Sequence, residues 1–140
     1  MKLQKTTPIY RFNTEKELLN AAAWWITQLN LQNWKIRFHL VTRDEMPLEG
    51  CNGCNSFVYE SNVSDIYILK DCKNNEERED FPYCAEQTLV HELLHLKYLL
   101  YEKSDMSMSD TFFMMEEHRK LDNMATILVA TRYNIRPEKV

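Results

Sequence analysis

Two histidines four residues apart, with a glutamate directly after the first, stand in Thr88-Leu89-Val90-His91-Glu92-Leu93-Leu94-His95-Leu96. On an α-helix, residues i and i+4 share a face about one turn apart. The His91 and His95 imidazoles can then reach one metal ion. The Glu92 carboxylate stands beside them without being drawn into the ligand set. A carboxylate so placed can take a proton from a water that the ion has acidified and pass it to a leaving amine. The competing reading is a partly polar helix face. Burying two imidazoles and a carboxylate without a metal or good partners is costly, so the metal reading is preferred.

A helix is expected around this motif, from Cys84 to Tyr101, with Leu89, Leu93, Leu96 and Leu100 at helical spacing and no internal Gly or Pro. Asp80 or Phe81 can mark its start, with Pro82 in the first turn. Catalytic zinc usually takes three protein ligands and a water. A third ligand close behind the motif, announced by a Gly and a His, is excluded because positions 98 and 101 are both tyrosine. The next helix offers Glu117 and His118 in Met115-Glu116-Glu117-His118-Arg119-Lys120-Leu121-Asp122. Both are chemically suitable. His118 is favoured because Asp122 lies one turn further along the same face. An aspartate there can accept the remaining N–H of a metal-bound histidine and fix its tautomer. The fourth histidine, His39, falls in a strand and is read as structural.

The order of helix, small sheet, H-E-x-x-H helix and third-ligand helix resembles minimal zincins of the gluzincin kind. Within these it is most similar to short bacterial and phage metallopeptidases and to ImmA/IrrE-like proteases. The resemblance covers residues 14–131, and its specific elements are Thr88–Leu96 and the 117–128 helix. In those families the third ligand is typically a glutamate, followed by an acidic or amide residue four positions later and an apolar one six later. His118, Asp122 and Met124 match that spacing with His in the Glu place, whereas Glu117 matches the type one position off. The resemblance implies a zinc-dependent peptidase. His91, His95 and His118 would hold Zn2+, Glu92 would be the general base, and a peptide or protein would be the substrate. It also implies that an exposed edge strand holds the substrate, for which Asp65–Leu69 is the candidate. Tyr83, Tyr98 and Tyr101 are candidate oxyanion donors. The alternative function is a non-catalytic, zinc-stabilised regulatory or binding module, which needs the same ligands.

The elements that must position these groups can be read along the chain. With 140 residues, one domain spanning 1–140 is expected. Asn13 or Thr14 caps a helix running to about Asn30, with Leu18, Leu19, Ala22, Trp25, Ile26 and Leu29 as its apolar stripe. Trp34–Val41 alternates like a half-buried strand. A polar loop, 43–55, carries Pro47, Gly50 and Gly53. Ser56–Glu60 and Asp65–Leu69 read as further strands. A charged loop, 73–80, precedes the motif helix. A last helix runs from Ser107 or Ser109 to about Tyr133, closed by Asn134 and Pro137, with Met114, Met115 and Met124 as core filling. Short links predict an antiparallel pairing. The expected fold is therefore α+β, with a small antiparallel three-stranded sheet packed on three helices.

A net charge of −4 disfavours a nucleic-acid backbone binder. No run reaches the length of a membrane span or of a signal-peptide core, so a cytoplasmic protein is expected. Cys51 and Cys54 form C-x-x-C, and Cys72 and Cys84 could complete a second, structural zinc site. Their spacing of 12 is wide for a second pair, so reduced thiols are the preferred reading, with a redox pair least favoured.

Overall fold

A computed structural model describes residues 7–70, 83–98 and 108–140. Helix α1 (Glu15–Gln28) starts at Thr14, whose hydroxyl accepts from the Glu17 N–H at 3.2 Å. It ends where Asn30 turns left-handed at φ 58°. There Asn30 N and Leu31 N reach back to the carbonyls of Thr27 and Ile26. The end of the last helix repeats this closure, with Asn134 at φ 53° and Ile135 N bonding Ala130 O. Asparagine tolerates this conformation through its short polar side chain, and here it replaces the glycine usual at helix ends.

Three strands follow: β1 (Lys35–Val41), β2 (Gly53–Val58) and β3 (Val63–Leu69). Their spatial order is β1-β3-β2. β3 pairs parallel with β1 and antiparallel with β2. The sheet is thus mixed, not antiparallel, and β3 is its centre rather than an edge. Composition explains the order. β3 carries Ile66, Ile68 and Leu69, all fully buried, and the centre is where both strand edges are paired. β2 carries Gly53, Asn55 and Ser56 and takes the edge. The linker from β1 is too long for a tight hairpin and carries β2 to the far side of β3. Arg43 ties the end of that linker, donating to Cys51 O at 2.8 Å and to Asn52 Oδ1 at 3.0 Å.

β2 also begins earlier than its apolar pattern indicates. Gly53 and Cys54 lie in the strand, and Tyr59–Ser61 forms a 3-10 turn instead of continuing it. Helix α2 (Ala85–Tyr98) packs on β2 and β3, and α1 packs on β1. Helix α3 (Met108–Tyr133) packs on α2. The expected continuation of α2 to Tyr101 lies outside the described residues. Leu89, Leu93 and Leu96 are buried, as are Ala125 and Val129 of α3. Met124 packs against this core, but Met115 is 66% exposed and does not fill it; on α1, Leu19 is likewise exposed. No helix among the described residues is long and apolar enough to cross a membrane.

Glu86 knits these layers together. It is fully buried in the first turn of α2. Its carboxylate accepts from Ile9 N at 2.9 Å, Trp25 Nε1 at 2.8 Å, Arg132 Nη1 at 2.6 Å and Tyr133 Oη at 2.6 Å. The lead-in segment, α1, α2 and α3 therefore meet on one side chain. The Arg132 guanidinium also lies 3.7 Å from the centre of the Trp24 ring.

Candidate metal centre

His91 and His95 stand one turn apart on α2, with their Nε2 atoms 3.2 Å apart. His118 on α3 faces them, its ring centre 4.7 Å from that of His95 and 5.8 Å from that of His91. One ligand nitrogen from each can be chosen so that all lie within 4.8 Å of one another. A tetrahedral ion bonded at about 2.0–2.1 Å holds ligand nitrogens roughly 3.3 Å apart, close to the 3.2 Å between the His91 and His95 Nε2 atoms. Three imidazoles converging in this way could hold a metal ion. Glu117 is not in the group: its Oε1 pairs with Lys120 Nζ at 3.1 Å on the flank of α3.

The tautomer of His91 is fixed from outside. Its Nδ1 lies 3.3 Å from Asp122 Oδ1, which also accepts from Gln87 Nε2 at 2.8 Å. The proton therefore sits on Nδ1, and the Nε2 lone pair points into the cluster. Asp122 thus serves the histidine of the facing helix rather than its own neighbour His118. The hydrogen bond from His91 is the main reason its carboxyl is held below the ordinary carboxylate range, with Gln87 adding to it. Gln87 was not evident from the motif, although it lies one turn before His91 on the same helix face.

Glu92 is 7% exposed and shares a cleft of about 520 Å³ with His95 and His118. Burial pushes its carboxyl up to about 7, opposed by the nearby His91. A bound cation would pull that value down again. Two residues of β2 hold the backbone and side chain of Glu92 in place. Asn55 Nδ2 donates to Glu92 O at 2.8 Å, and Asn55 Oδ1 accepts from Ser64 Oγ at 2.6 Å. A Cβ on Gly53 would lie 2.6 Å from Thr88 Cγ2 and 3.2 Å from Glu92 Oε1, so only glycine lets the strand come this close.

The remaining candidates do not join the histidine group. His39 sits on the sheet's other face, bonded to Asp65 at 2.9 Å and stacked on Tyr67. Tyr83 is buried and donates to Leu69 O at 3.3 Å. Tyr98 is exposed, and Tyr101 lies outside the described residues. Cys51 and Cys54 line the cleft, while Cys84 is buried at the start of α2, where desolvation raises its thiol to about 11. Cys72 lies outside the described residues. Among the described residues, the three histidines are the only group placed to hold a metal ion, and no cysteine joins them. No protein-family model, curated protein or solved structure matches the chain.

Proposed function

We propose that the chain is a zinc-dependent metallopeptidase. The observation that carries this reading is a buried carboxylate, Glu92, in an open cleft beside His95 and His118. A metal that only braced two helices would need neither the carboxylate nor the cleft. His91, His95 and His118 would hold the ion. When bound, zinc supplies Lewis acidity, acidifying a water molecule and polarising a carbonyl oxygen. Glu92 takes the water's proton on a carboxylate oxygen and returns it to the departing amine nitrogen. Asp122, steadied by Gln87, keeps the His91 proton on Nδ1 throughout. Asn55 anchors the helix backbone at Glu92, so the base is positioned from the strand as well as from its own helix.

The test is metal content together with cleavage of a randomised peptide mixture. Wild type should carry about one zinc per chain, lost in His91→Ala and His118→Ala and kept in Glu117→Ala. Glu92→Gln should keep the metal and the fold and lose cleavage. A metal-loaded wild type that cuts no peptide or protein would sink the peptidase reading in favour of a zinc-stabilised binding module.

A further inference from the structure

We propose that Ser64, a serine of the central strand that does not itself line the cleft, is a positioning residue for Glu92 and acts through the side-chain amide of Asn55. This rests on the peptidase reading of the same site and adds a residue to its machinery.

The first argument is burial. Four polar or charged side chains are buried among the described residues: Ser64, Glu86, Glu92 and His95. Glu86 joins the helices, and Glu92 and His95 belong to the cleft. Ser64 is 0% exposed and shares its face of β3 with Ile66 and Ile68, both buried. Alanine would fit that place without the cost of burying a hydroxyl. Nor is the hydroxyl needed to hold β2 to β3. The strand pairing already sets Phe57 opposite Ser64 and Asn55 opposite Ile66. What the hydroxyl does is donate to Asn55 Oδ1 at 2.6 Å.

The other end of that amide reaches the motif helix. Glu92 O can only accept, and Asn55 Nδ2 donates to it at 2.8 Å. With Nδ2 turned to the helix, Oδ1 needs a donor of its own, and Ser64 supplies it. Asn55 also lines the cleft, so its amide has a second place to go, in water. The Ser64 hydroxyl is the latch that keeps it turned inward. Two residues earlier on the same strand face, a Cβ at Gly53 would lie 3.2 Å from Glu92 Cγ and Oε1. β2 therefore bounds Glu92 twice, at the side chain through Gly53 and at the backbone through Asn55. If the amide swings into the cleft, the backbone hold is lost and α2 can move against β2. Small displacements of a proton-transferring group are costly in rate.

The test uses the zinc-loaded full chain with Ser64→Ala, Asn55→Leu and the two combined. The first measurement is hydrogen exchange of the Asn55 side-chain amide by NMR, assigned by its absence from Asn55→Leu. Ser64→Ala should speed that exchange at least about tenfold while backbone exchange in β3 stays as in wild type. The second is cleavage of one peptide recovered from the mixture. Ser64→Ala should keep its zinc and lower kcat about tenfold, with KM changed less than about twofold. Asn55→Leu should do the same. The double variant should lose no more than either alone, because both changes break one chain of contacts. Ser64→Thr restores a hydroxyl and should recover both the slow exchange and kcat. An Asn55 amide that stays protected in Ser64→Ala overturns the proposal. So does a loss of kcat that tracks lost zinc or lost fold, or losses that add in the double variant. A wild type that cuts nothing fails the peptidase reading, whereas the exchange measurement still decides the latch.

Discussion

Asp122 on α3 reaches across to His91 on α2, with 3.3 Å between Oδ1 and Nδ1. The contact couples the two helices that bring the three histidines together, and it sets which ring nitrogen of His91 is available to a metal. Asp122→Asn keeps the shape but accepts more weakly, and its amide can turn an N–H toward Nδ1. Zinc affinity should fall about 10–100-fold, the range found when such supporting groups are removed. Competition with a chromogenic zinc chelator measures this, and an unchanged affinity would show that Asp122 is a surface residue only.

Glu86 should dominate stability even in the metal-free chain. Glu86→Ala leaves four donors without their acceptor, including the half-buried Arg132 guanidinium. Breaking one side of a buried ion pair typically costs about 3–5 kcal/mol. Trp25→Phe removes a single donor to the same carboxylate and should cost about 1.5–3 kcal/mol. Urea unfolding with chelator present reads both. A loss under about 1 kcal/mol for Glu86→Ala would mean water replaces the carboxylate at no great cost.

The parts of this molecule that were legible from sequence are those fixed by local spacing. The i, i+4 histidines, the Thr14 cap and the Leu89–Leu93–Leu96 stripe each follow from helix geometry alone. Strand order was not legible, because alternation sets which face a strand buries and says nothing about which strand lies beside it. For the same reason β3 could not be recognised as the central strand. The choice between Glu117 and His118 turned on about 100° of rotation around α3, which only its packing against α2 decides. Glu86 carried no local signal, since its partners come from three other, distant segments.

Gly53 shows how a residue usually read as a loop marker can belong to a strand. With a Cβ the strand would press Thr88 Cγ2 at 2.6 Å, and Thr88 lies on the motif helix close to His91. Gly53→Ala should cost about 1–3 kcal/mol by overpacking. Thr88→Ser removes the offending methyl. The double variant should therefore be more stable than the sum of the single changes predicts, by more than about 0.5 kcal/mol. Simple additivity in thermal unfolding would show that the strand shifts away freely and that its distance from Glu92 is not constrained.

The pH dependence of stability should carry the mark of Asp65 on the sheet face opposite the cleft. Its carboxylate accepts from His39 Nε2 at 2.9 Å and takes the Arg37 guanidinium at 2.9 Å on each oxygen. His39 first, and Arg37 next, hold its pKa below the ordinary 3.8. A carboxyl that is more acidic folded than unfolded stabilises the fold above its unfolded pKa. That contribution is lost as the pH falls through the lower, folded value. Wild type should therefore be more stable than Asp65→Asn near neutrality, and the gap should narrow once the pH drops below about 3.8. Urea midpoints of the two proteins across an acid series test this. A gap that stays constant into strong acid would assign the effect of the substitution to packing against His39 and Arg37 rather than to charge.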